Sequence, residues 1–167
     1  MNVPMNNALR EQIKVAIKNG LDISDLIRGV DIKGENLKGA IIKDFNRPND
    51  DITKVDLSKA IIGEEGKITN LSGTIMRSVR FDDVVFKGTV FLRRCDCRES
   101  VFSGAVMVNL EYQNTDFRGC KFCETAIRLG TTYSLGSKFS DNVFDDLGKM
   151  WGLEIKVRGE ENGNTSS

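Results

Sequence analysis

The chain has 167 residues, a length for one domain, and its 24 basic residues are balanced by 24 acidic ones. Zero net charge argues against a surface that binds polyanions over its whole extent. The absence of His removes the commonest general base and metal ligand, and no apolar run reaches the roughly 18 residues of a membrane-spanning helix.

The start, Met1-Asn2-Val3-Pro4-Met5-Asn6-Asn7, lacks the basic-then-apolar pattern of a secretion signal. A cytoplasmic location is therefore expected, with the Cys residues reduced. Residues 6–18 are predicted to be a short amphipathic helix. Leu9, Ile13, Ala16 and Ile17 recur at helical spacing and Gly20 comes after them as a stop. This N-terminal segment, residues 1–24, is expected to cap the rest of the chain.

From about residue 25 a different period takes over. Large apolar residues recur every fifth position, at Leu71, Met76, Phe81, Phe86 and Phe91. After one extra residue, assigned to Arg94, they resume at Cys97, Phe102, Met107, Tyr112, Phe117, Phe122 and Ile127. Every Phe but Phe45 falls in this frame once the irregular stretch Gly130–Gly136, before Phe139 and Phe144, is allowed for. A helix advances about 100° per residue and a strand alternates faces, so neither keeps a five-residue step on one side. The period fits a chain that turns a corner every five residues. Four corners close a square coil, stacked about 4.8 Å above the previous one.

The neighbouring positions agree. Small or β-branched residues stand two before each centre, as at Val55, Ala60, Thr74, Val79 and Ala105. Asp or Asn often stands one before, as at Asp31, Asn36, Asp96 and Asp116. Gly recurs two after, at Gly34, Gly39, Gly73, Gly88, Gly104 and Gly119, where a tight turn favours positive φ. Segments such as Val30-Asp31-Ile32-Lys33-Gly34 and Thr115-Asp116-Phe117-Arg118-Gly119 resemble the pentapeptide-repeat family, over roughly residues 25–146. The resemblance implies an all-β solenoid, a right-handed quadrilateral β-helix, here with its short N-terminal capping helix.

Interruptions are expected at Phe45–Asn49, Glu65–Ile68, Arg94 and Gly130–Gly136, and the centres sort into four columns. The first holds Ile32, Leu57, Phe81, Phe102, Phe122 and Phe144, and the second Leu37, Ile62, Phe86, Met107 and Ile127. The third holds Ile42, Leu71, Phe91 and Tyr112, and the fourth Ile52, Met76, Cys97, Phe117 and Phe139. In this register the interruptions fall on the side of the third column. Residues 147–158, with Met150, Trp151, Leu153 and Ile155, are apolar and out of frame, and are expected to cap the far end. The polar tail 159–167 is expected to be disordered.

No nucleotide loop, nucleophile elbow or metal motif of defined spacing appears. Cys95, Cys97, Cys120 and Cys123 look like two halves of a zinc site, but the frame sends Cys123 outward and the other three inward, so they are assigned to packing. No catalytic residue, cofactor or metal is expected. Two surface patterns stand out. Arg77, Arg98 and Arg118 stack just after the fourth column, beside Asp96 and Asp116. Ile61, Val85, Val106 and Ala126, with Val108 nearby, form an apolar stripe just before the second.

These patterns point to a non-enzymatic, rigid protein-interaction module. The expected partner is a protein, which includes a second copy of the chain; no membrane or direct nucleic-acid binding is expected. The alternative comes from the resemblance: some family members protect DNA gyrase by imitating duplex DNA. That role needs a long negative surface, including acids such as Asp82, Asp83, Asp145 and Asp146.

Overall fold

The structure is a computed structural model that describes residues 2–123 and 126–127. The expected features at Gly130–Gly136, Phe139, Phe144, Asp145, Asp146 and residues 147–167 lie outside the described residues.

The chain begins with β1 (Val3–Pro4), α1 (Asn7–Lys18) and the single turn α2 (Ser24–Ile27). It then winds through short strands β2 (Val30–Asp31), β3 (Ile41–Ile42), β4 (Ile61–Ile62) and β5 (Ile68–Asn70). Two longer strands, β6 (Val85–Arg93) and β7 (Val106–Gln113), precede β8 (Ala126–Ile127). All strand pairings are parallel, and they stack the coils of a β-solenoid.

The corners arise from the sequence. At many corners the N–H of the residue three after the centre donates to the centre's carbonyl, as from Val55 to Ile52, Ala60 to Leu57 and Ser100 to Cys97. The Asp or Asn before the centre accepts from the N–H two residues on, as in Asp51 to Thr53 and Asp56 to Ser58, at 3.0 and 2.9 Å. The second residue after the centre has positive φ. Gly occupies that site at Gly34, Gly39, Gly73, Gly104 and Gly119, but Lys54, Lys59, Ser78 and Glu99 adopt it too. The ladder holds these non-Gly residues there: the N–H of Lys54 and Lys59 donates to Arg77 and Asp82 in the next coil, at 2.9 and 2.7 Å.

The ladder corrects the expected register in the lower coils. Bridges link Asn36, Asp56, Arg80, Val101 and Lys121 in one series, so Leu37 shares the column of Leu57, Phe81, Phe102 and Phe122. Ile41–Ile42 pairs with Ile61–Ile62, which puts Ile42 in the second column in place of Leu37. Ile32 joins the fourth column below Ile52, since the Gly34 N–H donates to Thr53 as that of Lys54 does to Arg77. The physical reason is that the frame does not break at Phe45–Asn49. It runs on in fives, and the centre after Ile42 is Arg47, a residue too polar to be recognised as one.

A second correction concerns Phe91. It is half-buried and faces outward, and the buried residues on either side of it are Val90 and Leu92. The third column is therefore Arg47, Leu71, Leu92 and Tyr112, tied by the Arg47 N–H to Asn70, the Leu71 N–H to Phe91 and the pairing of Leu92 with Tyr112. The extra residue lies at Lys87–Gly88, where the pairing of β6 with β7 shifts between Phe86 and Thr89, and not at Arg94. Gly88 is required there. Its φ is +79° and a Cβ would collide with the carbonyls of Glu64 and Lys67, in the excursion of the coil below. Both excursions, at residues 63–67 and at 87–88, leave the prism between the second and third columns.

Inside, Phe81, Phe102 and Phe122 stack as expected. Successive centroids are 5.0 and 5.2 Å apart and the planes differ by 14° and 4°, which matches the spacing of strands in a ladder. Thr74, Ser100 and Thr115 take small inward positions, with their hydroxyls donating to carbonyls of the coil below, at Arg47, Met76 and Leu92.

The N-terminal end is plugged by charge. Asn6 caps α1 by accepting from the Leu9 N–H at 2.9 Å. Ile13 and Ala16 of α1 are buried, and the Arg10 guanidinium grips the Glu35 carboxylate through Nε at 3.0 Å and Nη2 at 2.6 Å. Arg47 fills the third-column centre of the lowest complete coil at 7% exposure. Its Nη1 donates to the Val30 carbonyl at 3.0 Å and to Asp50 Oδ2 at 2.6 Å, and Nη2 donates to the Ile27 carbonyl.

Candidate interaction surface

Each face of the solenoid carries its own balance of charge. On the fourth-column face, acid and base alternate up the prism. Lys33 pairs with Asp51 at 2.6 Å, Arg77 and Arg98 share Asp96 at 2.6 and 2.8 Å, and Arg118 holds Asp116 at 2.6 Å. Arg98 also reaches toward Asp116, at 3.9 Å. The stacked arginines Arg77, Arg98 and Arg118 are thus brought together as expected, and they are engaged by their own ladder of acids. The Arg98 guanidinium, ahead of the opposing effect of burial, holds the Asp96 carboxyl well below the usual carboxylate range, and Asp96 raises Arg98 in return.

That shift has a measurable consequence. A carboxyl with a depressed folded pKa contributes stability above its unfolded pKa of about 3.9 and loses it as pH falls toward the folded value. The contribution of this pair to unfolding free energy should therefore be flat between about pH 5 and pH 8 and fall below about pH 4. The Asp96→Asn variant should show a shallower acid limb, measured by urea titration at successive pH values. An unchanged limb would mean the pair is fully screened by solvent.

The first-column face carries Arg80 between Asp56 and Asp82, at 3.6 and 3.1 Å. On the third, Arg93 stacks over the Phe91 ring at 4.3 Å and pairs with Glu111. No described face is continuously acidic.

The second-column face differs. The ladder aligns Ile41, Ile61, Val85, Val106 and Ala126 one above another, and the side chains of the first four are half-buried. The backbone places Val108 in β7, two residues past Val106. Ile41 was not legible as part of this stripe, because the register below Ile61 depends on Arg47. The excursion at 63–67 stands beside the stripe. A groove of about 360 Å³ lies between the lower end of the stripe and this excursion, lined by Ile41, Ile61, Gly63, Lys43, Lys87, Glu64 and Glu65. Glu64 pairs with Lys67. Lys43 and Lys87 are exposed and make no ion pair with a described residue.

The cysteines lie where the frame puts them. Cys95, Cys97 and Cys120 are buried and Cys123 is half-exposed. The Cys95 thiol donates to the Leu71 carbonyl and that of Cys120 to the Cys97 carbonyl, both at 2.9 Å. Burial pushes the Cys120 thiol up to about 12 and Cys97 well above its ordinary value. The thiols of Cys97 and Cys120 are therefore poor nucleophiles at neutral pH. Among the described residues, no group of three or more His, Cys, Asp or Glu side chains is placed to hold a metal ion, and no helix is long and apolar enough to cross a membrane.

Residues 92–125 match the family model for pentapeptide repeats, in eight copies. That stretch carries the repeats of the pentapeptide-repeat family. Three solved structures illustrate the likeness. A pentapeptide-repeat protein from the Arabidopsis thaliana thylakoid lumen is 22% identical, over 70% of this chain and 66% of that one, with a TM-score of 0.30. The pentapeptide-repeat protein Rfr23 from the cyanobacterium Cyanothece 51142 is 21% identical, over 57% and 64%, with a TM-score of 0.29. QnrB1, a plasmid-mediated fluoroquinolone resistance protein, is 15% identical, over 67% and 78%, with a TM-score of 0.28. The chain spans just under two thirds of the length of the first two, at 66% and 64%. No curated protein matches. Pentapeptide-repeat proteins are in general structural repeat proteins rather than enzymes, and their fold suits a protein-interaction module.

Proposed function

We propose that this protein is a non-catalytic, rigid module that binds a protein partner through its second-column face. One observation carries the reading: the other faces present charged residues and their ion pairs, or Arg93 on Phe91 and Glu111, whereas this one presents an apolar stripe, flanked by Lys43 and Lys87. Leaving such a stripe in water is unfavourable by roughly 25 cal/mol per Å² of apolar area, so covering it drives association. The stacked core leaves no cleft at the centre of the prism, and binding falls to the outside.

The double variant Val85→Lys, Val106→Lys places two charges on the stripe without touching the core. It should unfold within about 0.5 kcal/mol per site of the parent yet lose partner retention in affinity capture from the native host. Full retention by a folded variant would remove this face from the reading. Imitation of duplex DNA ranks second, because the acids on the described faces alternate with arginines and lysines. No protection of DNA gyrase is expected in a supercoiling assay at micromolar protein. Dose-dependent protection would reverse the order.

A further inference from the structure

We infer that the second-column face, with the groove at its lower end, accepts an amphipathic α-helix of a partner protein, lying along the solenoid axis with an acidic flank. This rests on the reading that the face binds a protein, and adds what kind of segment it takes. The first argument is spacing. Ile41, Ile61, Val85 and Val106 belong to successive coils, so the stripe spans three steps of about 4.8 Å, about 14 Å in all. The apolar seam of a helix advances 3 or 4 residues at a time, about 5.3 Å on average, and spans about 16 Å in three steps. An extended strand presents same-face residues about 6.7 Å apart and spans about 20 Å. The helix stays within about half a coil of register, whereas the strand runs ahead by more than a whole one.

The second argument is charge. Lys43 and Lys87 each come just after a second-column centre, two coils apart, about 10 Å. Both line the groove without a contact ion pair among the described residues, Lys43 standing in the field of Asp22 and Glu64, and Lys87 one coil farther from Asp22 than Ile61 is. Carboxylates seven residues apart on one side of a helix are separated by about 10.5 Å and would meet both. The groove's own acid, Glu64, is engaged by Lys67, and Glu65 is exposed beside it. The excursion at 63–67 supplies a wall on one side of the stripe. The side chains of an added helix would rest against Ile41 and Ile61, which line the groove.

The test uses the full chain and three synthetic 21-residue peptides. The probe has Leu at heptad positions a and d and Glu at e and g, so that it repels its own copies. One control carries Lys at e and g, and another is the probe with Pro at two central positions outside a, d, e and g, which abolishes the helix. Binding is read by fluorescence anisotropy at low salt. The probe should saturate, and bind at least about tenfold more tightly than either control, a difference of about 1.4 kcal/mol. Lys43→Glu with Lys87→Glu, and separately Val85→Asp with Val106→Asp, should each weaken it by about tenfold or more, each variant being first shown to melt as the parent does. Absence of saturable binding, equal binding of the Lys-flanked peptide, or indifference to both double variants would overturn the inference. Equal binding of the Pro peptide would overturn it in favour of an extended occupant. If sedimentation shows a parent dimer that Val85→Asp with Val106→Asp dissociates, the occupant is a second copy and the inference fails. If the probe fails while Val85→Lys, Val106→Lys still loses the native partner, the face stands and the helix does not. If both fail, the proposed function falls with it.

Discussion

Phe102→Ala should cost on the order of 3–5 kcal/mol, the range for truncating a buried Phe. The ring sits in the middle of a stack, 5.0 Å from Phe81 and 5.2 Å from Phe122, with Phe117 edge-on at 6.3 Å. A solenoid has no other layer to refill the void, because each coil touches only its neighbours. The loss is therefore felt on both sides, as two ring contacts and a cavity. The control is Phe91→Ala. The five-residue period gives Phe91 the same status as Phe102, but the ring is half-buried under Arg93, and about 1 kcal/mol is expected. Urea denaturation of both variants reads the difference directly. Equal losses would mean that Phe91, and not Leu92, belongs to the core.

Arg47→Met should be nearly as damaging, on the order of 3–5 kcal/mol, although Met fits the volume of the site. The guanidinium satisfies the Val30 and Ile27 carbonyls and the Asp50 carboxylate. Removing it strands a half-buried charge and two polar atoms at the N-terminal end, where no further coil exists to pair with them. The paired change Arg47→Met with Asp50→Ala removes both ions together, and should recover a large part of the loss. A single variant as stable as the parent would show that water already satisfies these groups. The affected unit should be local: hydrogen exchange should speed up in β2 and α2 well before it does around Phe102.

The five-residue period, the column of Phe81, Phe102 and Phe122, the inward Cys95, Cys97 and Cys120, and the stripe from Ile61 to Val106 were all legible without coordinates. The reason is that each coil is a local structure. A corner closes within five residues through a turn bond and an Asp or Asn side chain, so its chemistry is written in neighbouring positions. What the sequence could not determine was the vertical pairing between coils. That depends on contacts about twenty residues apart and on which residue fills a corner when the pattern lapses. Arg47 occupies an apolar position because the end of the prism offers carbonyls and Asp50 in place of another ring. Phe91 yields the core to Leu92 because the bulge at Lys87–Gly88 inserts one residue, and a shift of one turns every side chain to the opposite face. The ion pairs that neutralise Arg77, Arg98 and Arg118, and the lack of any with a described residue for Lys43 and Lys87, likewise result from stacking. Only the tertiary structure decides which side chains of different coils come within reach of one another.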